Sequence, residues 1–105
     1  MAQYDVYPNP QHQSRPFVPY VMDVQSALID RLATRLVMPL SRVGAQLPHL
    51  PVNLCPVVSV EGERLILQAH LAAPVATSRL KNPVMNLQSQ ASDVAAALDA
   101  VISGV

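Results

Sequence analysis

Only one stretch of this chain has the pattern of a long helix. From Pro83 to Val105 it reads PVMNLQSQASDVAAALDAVISGV, and Leu87, Ala91, Val94, Leu98, Val101 and Val105 recur in alternating steps of four and three. That spacing puts them on one face of a 3.6-residue helix, which must pack on the rest of the chain. Asn82 ahead of Pro83 offers a cap and a first-turn proline, Asn86 an alternative cap, and Ala95 to Ala97 favour helix intrinsically. The expectation is a C-terminal helix over about 83–103. Its end, Ile102, Ser103, Gly104 and Val105, is apolar apart from one hydroxyl, and from spacing alone it reads as a frayed terminus.

Upstream of that helix, proline keeps every apolar run short. The chain has 10 prolines, most of them at the ends of β-rich segments or in loops. Tyr4 to Pro8 reads as a strand, followed by a polar loop through Gln11 to Arg15. Phe17 to Ser26 is a second strand, expected at an edge or bulged because Pro19 cannot donate to a ladder. Arg35 to Leu40 reads as a buried strand closed by Pro39, Ser41 to Ala45 as a turn, and Leu47 to Pro51 as a loop. Pro56 to Glu61 and Arg64 to Gln68 form a hairpin joined through Gly62 and Glu63, with Glu61 facing Arg64. Leu71 to Ala76, which contains Pro74, is a weaker strand or a connector. Five or six short strands and then one helix argue for an α+β or small-barrel domain, mostly β.

A length of 105 residues allows one domain, 1–105, that buries about two thirds of its unfolded surface. Half of the residues are apolar and 13% are charged, which excludes a disordered chain. So much apolar surface in so small a protein implies an oligomer or a constitutive partner. Seven basic and seven acidic residues give zero net charge, without the basic footprint of a direct nucleic-acid binder. A single cysteine, Cys55, allows no internal disulfide, and no apolar segment is long enough to span a membrane. With no leader-like N-terminus, a cytoplasmic protein is expected.

No catalytic constellation emerges from the residues. His12, His49 and His70 are far apart, and none is paired with another at helical spacing for a metal. Cys55 precedes Pro56 at the start of an apolar strand, the setting of a buried inert thiol more than of a nucleophile. Three glycines build no phosphate-cradling loop, and the carboxylates show no spacing that pairs them. No catalytic residue, metal or cofactor is expected.

Four short stretches nevertheless carry a likeness. QYDVY at Gln3 to Tyr7, DVQS at Asp23 to Ser26 with Leu28, Ile29 and Asp30 after it, RLVMPL at Arg35 to Leu40, and LCPVV at Leu54 to Val58 follow one another between residues 3 and 58. In order and spacing the sequence resembles the CcdB family, toxins of type II toxin–antitoxin modules that serve plasmid maintenance. The resemblance implies a small SH3-like barrel with an antiparallel sheet and one C-terminal helix. It implies a homodimer and no enzyme: the toxin binds the gyrase A subunit and traps the gyrase–DNA cleavage complex. It also implies a cognate CcdA-like antitoxin, whose disordered tail folds onto the toxin.

Carried over residue by residue, the gyrase-binding surface falls on Leu28, Ile29, Asp99, Ile102, Ser103, Gly104 and Val105. Leu28 and Ile29 keep the family's apolar character, Gly104 is retained and Val105 stands close to its isoleucine. Asp99 stands where the family has asparagine, Ile102 where it has an aromatic, and Ser103 where it has tryptophan. Losing a dominant aromatic from an interface costs about 2–4 kcal/mol, or roughly thirty- to a thousandfold in affinity. A homologue with lost or redirected toxicity, retaining antitoxin binding only, is therefore the alternative. MazF-like endoribonucleases share a related architecture, but they need a basic groove that seven lysines and arginines on a neutral chain supply poorly.

Overall fold

The structure, a computed structural model, describes residues 2–26, 32–42 and 55–103. Its strands are β1 (Asp5–Pro8), β2 (Tyr20–Asp23), β3 (Thr34–Arg42), β4 (Val57–Val60), β5 (Glu63–Leu67), β6 (Ala73–Ala76) and β7 (Met85–Asn86), followed by the helix α1 (Ala91–Ser103). Every pairing is antiparallel, in the order β4-β5-β3-β2-β1-β7, with β6 also alongside β3. The sheet curls until it nearly closes into a barrel, which with the single C-terminal helix is the SH3-like α+β architecture expected.

Alternation along the strands sorts the core. Val6, Met22, Met38, Leu40, Val58, Val60, Leu65 and Leu67 face inward and meet Leu87, Val94 and Ala97 from the C-terminal segment. Their neighbours Tyr7, Val21 and Val37 point through the other face and are covered by Leu80. The β1–β2–β3 part of the sheet is thus buried on both sides.

β3 passes through Pro39 without breaking, and its neighbours explain why. Leu36 directs both backbone groups towards the β2 side, to Val24 and to the Gln25 side chain. Alternation turns Pro39 to the opposite side, where β3 changes partner from β6, which ends its pairing at Val37, to β5, which begins at Leu40. The missing N–H falls in that gap, and the Pro39 carbonyl still accepts the Gln68 N–H at 3.1 Å. Ser41 and Arg42, expected in a turn, continue this strand. β2 is not an edge strand either, because it starts at Tyr20, just after Pro19, and lies between β1 and β3.

Two further expectations are corrected. The helix begins at Ala91 instead of near Pro83. Val84 and Leu87 donate their N–H groups to the carbonyls of Val6 and Tyr4, and Met85–Asn86 closes the sheet edge against β1, so these backbone groups are already taken. Asn86 does not cap the helix: its Oδ1 accepts the Gln88 N–H at 2.8 Å, two residues on, ahead of a 3-10 turn over Gln88–Gln90 whose N-cap is Leu87. Leu87 is buried from this segment and not from the helix, and Val101, at 41% exposure, leaves the buried stripe.

In the β4–β5 hairpin the turn residues are Glu61 and Gly62, with Val60 opposite Glu63 and Ser59 opposite Arg64. Moving the turn by one residue changes the register by two, which keeps the same side chains inward, so hydrophobic alternation does not choose between the two arrangements. Turn chemistry does: Glu61 and Gly62 both have positive φ, 51° and 81°, the backbone of a type I′ turn. A glutamate there is held in a conformation that costs an L-residue about 1–2 kcal/mol. Glu61→Asn, which creates the preferred Asn-Gly pair, should stabilise the protein by about 0.5–1 kcal/mol, read as a rise of about 2–6 °C in Tm.

Candidate functional site at the end of the C-terminal helix

α1 is fastened at its start and middle and free at its end. Val94 and Ala97 are buried, Leu98 packs beside them, and the helix lies against the turn formed by Ala69–Leu71. Asp93 in the first turn complements the helix dipole, whereas the last turn holds no basic residue. Asp99 is exposed there, with its negative charge at the unfavourable end of that dipole. Beyond the packed stripe, Ile102 is 75% exposed and Val101 joins it, forming an apolar helix end turned to solvent.

Of the residues expected to bind a target, Asp99, Ile102 and Ser103 come together on this last turn, all exposed. Leu28, Ile29, Gly104 and Val105 lie outside the described residues. The Ser103 hydroxyl donates to the Asp99 carbonyl at 2.7 Å, which satisfies one of the helix's terminal acceptors. The serine is thereby engaged with its own helix.

The segment that leads towards Leu28 and Ile29 is fixed by a buried network that spacing did not reveal. The Asp23 Oδ2 accepts from the Arg35 Nε at 2.7 Å, with side-chain exposures of 0% and 1%. The other carboxylate oxygen accepts the Gln25 N–H at 2.9 Å, the Gln25 carbonyl accepts from Arg35 Nη2 at 3.2 Å, and Gln25 Oε1 accepts the Leu36 N–H at 3.0 Å. The Asp23 carbonyl accepts the Tyr4 N–H, and Gln3 Nε2 donates to the Val24 carbonyl at 3.1 Å. Thus QYDVY, DVQS and the arginine that opens RLVMPL are one hydrogen-bonded unit. The available signal was two opposite charges set within apolar runs on neighbouring strands.

Among the described residues, three groups have raised proton affinity. Burial, then the nearby carboxylates of Asp5 and Asp23, push the Tyr7 phenol above its ordinary value, against a smaller pull from Arg35. Burial followed by Glu61 and Glu63 does the same to Tyr20. Burial alone raises the Cys55 thiol, so it stays protonated and weakly nucleophilic near neutral pH. Among the described residues no cluster of histidine, cysteine and carboxylates is arranged to hold a metal ion.

The described residues thus form a small barrel with one anchored helix whose apolar end is exposed. The chain matches the family model described as CcdB protein over residues 3–104, and it belongs to the CcdB family. Members of that family are toxins that act by binding and not by catalysis, so this chain is a non-enzymatic protein of toxin type. No curated protein matches the chain significantly. No helix among the described residues is long and apolar enough to cross a membrane.

Removing one partner of the buried pair leaves an uncompensated charge. Arg35→Met alone should destabilise by about 3–5 kcal/mol in denaturant unfolding, and Arg35→Met with Asp23→Leu should recover much of that loss. Tyr7 gives a pH test. Its folded-state value lies above the ordinary 10.0, so the folded chain keeps a proton that the unfolded chain gives up. Its contribution is complete below pH 10.0 and lost as pH rises through the higher folded value. Tyr7→Phe should flatten the alkaline limb of a stability–pH curve.

Proposed function

We propose that this chain is the toxin of a type II toxin–antitoxin module that binds the gyrase A subunit and holds gyrase on cleaved DNA. It acts in the cytoplasm as a homodimer and is neutralised by a cognate CcdA-like antitoxin. The exposed apolar end of α1, with Ile102 at 75% exposure on a helix anchored by Val94 and Ala97, carries this reading together with the family match. A toxin that works by trapping needs complementary apolar surface and a rigid element to present it. In this reading Leu28, Ile29, Asp99, Ile102, Ser103, Gly104 and Val105 make the gyrase contact. Gyrase itself cuts the DNA, so the toxin supplies no catalytic group.

A second reading is favoured by the last turn. Ser103 is small and bonded back to Asp99, and Asp99 carries a charge, so the two positions offer little area and an added desolvation cost. In that case antitoxin binding remains and gyrase poisoning is lost or redirected. Induction with and without the antitoxin, scored for growth, supercoiling and trapped gyrase–DNA complex, separates the two readings. The first expects growth arrest with trapped complex, relieved by antitoxin, and Ile102→Asp should abolish it. Ser103→Trp with Asp99→Asn should strengthen trapping at least about tenfold. A silent parent and a silent double variant, with antitoxin binding intact, would point to a different target.

A further inference from the structure

A second surface, separate from the helix end, has the composition of an anion site. A cleft of about 370 Å³ is lined by Pro8, Pro10, His12, Arg15, Ser78, Arg79, Lys81 and Asn82. The chain holds seven lysines and arginines, and three of them, Arg15, Arg79 and Lys81, line this cleft with no carboxylate among them. His12, Ser78 and Asn82 add further side-chain hydrogen-bonding groups. None of the three cations is ion-paired: the salt bridges among described residues are Arg35–Asp23 and Arg42–Glu63.

The walls are built and not merely adjacent. Arg15 donates its Nε to the Asn9 carbonyl at 2.6 Å, an anchor that leaves the terminal nitrogens of the fork without a protein acceptor. Asn9 is itself buried and ties the loop together, donating to Ser14 Oγ and to the Val18 carbonyl at 3.1 and 2.8 Å and accepting the Gln11 N–H at 3.0 Å. Arg42 Nη1 holds the Arg15 and Pro16 carbonyls at 3.1 and 2.7 Å. On the opposite wall Leu80 is extended and buried under Tyr7, Val21 and Val37, so its neighbours Arg79 and Lys81 are turned outward together. Asn82 follows at φ 59°, which bends the chain after Lys81.

Three positive charges around one cleft, one of them anchored, call for an anion of comparable charge. A guanidinium fork with its Nε already committed presents paired donors to one tetrahedral group. The volume exceeds what a single phosphate fills and falls in the range of small-ligand pockets. We propose that the cleft between the Pro8–Arg15 and Ser78–Asn82 segments binds a polyphosphate group, free or as part of a nucleotide. The site is independent of the gyrase reading, since none of its residues belongs to the end of α1.

The test is an NMR titration of the full chain at low salt with pyrophosphate, and with ADP and adenosine as further arms. The proposal expects saturable pyrophosphate binding, with resonance shifts centred on residues 8–15 and 77–82. ADP binding more tightly than pyrophosphate identifies a nucleotide, and equal binding identifies the phosphates alone, while adenosine should not bind. Arg79→Gln with Lys81→Gln, both at exposed positions, should weaken binding by about thirtyfold or more, and Arg15→Lys by about fivefold with charge unchanged. Arg64→Gln, an exposed cation outside the cleft, should leave it unchanged; thermal melts confirm that each variant is folded. Absence of saturation, equal weakening by Arg64→Gln, or tighter binding of a glutamate-rich peptide or a DNA duplex would overturn the proposal.

Discussion

The buried contact between Asp23 and Arg35 joins the three strands on which the rest of the barrel is assembled. Asp23 ends β2, Arg35 lies in β3, and the backbone of Asp23 receives Tyr4 just ahead of β1. Taking both charges out of water is expensive, and the pair earns net stability only if its remaining polar atoms are also bonded. Here Gln25 completes most of that set from its own N–H and carbonyl, while its side chain accepts the Leu36 N–H. One atom is left over: Arg35 Nη1 is buried without a hydrogen-bond partner among the described residues. The arrangement therefore specifies geometry more than it adds stability, holding the chain in one conformation as it leaves β2. In the proposed reading, this is the stretch that leads towards the Leu28 and Ile29 part of the contact surface.

The same division between fixed base and presented surface holds at the other end of the chain. α1 buries Val94 and Ala97 and leaves Val101 and Ile102 in water, a distribution that serves presentation and not packing. An exposed isoleucine at a helix end is tolerated singly, and only the proposed gyrase contact would give Ile102 a use there. Ser103 alters the balance of that surface. Its hydroxyl completes the helix terminus, where a large aromatic would instead project area towards a partner. What the substitution contributes to the helix it withholds from an interface.

Architecture was legible in the sequence because it rests on period and proline. The single helical stretch, the short strands ahead of it and the antiparallel hairpin at β4–β5 all follow from apolar alternation and turn residues. Boundaries were less legible wherever a tertiary hydrogen bond overrode local preference. Pro83 to Gln90 has the spacing of a first helical turn, yet β1 recruits Val84 to Leu87 to close its edge. The hairpin register could not be read from alternation because both choices bury the same side chains, and only the backbone at Glu61 and Gly62 distinguishes them. The Asp23–Arg35 pair escaped spacing arguments since its members are twelve residues apart on different strands. For the helix-end surface, residue identities were readable in sequence, and the structure adds the exposure of Asp99, Ile102 and Ser103.

A net charge of zero turned out to be the least informative number in the composition. It balances seven cations against seven anions while saying nothing of where they stand. Arg35 and Arg42 are neutralised by Asp23 and Glu63. Asp93 and Asp99 sit on α1, and Arg15, Arg79 and Lys81 gather in one cleft that contains no carboxylate. Fields at a surface depend on such segregation and not on the sum, because charges beyond about 8–10 Å are screened at physiological salt while those within a cleft reinforce one another. An electroneutral chain can thus carry a strongly positive recess. The exclusion of a broad basic groove, drawn from net charge, remains compatible with a compact site for a small anion, since the two differ in extent and not in sign.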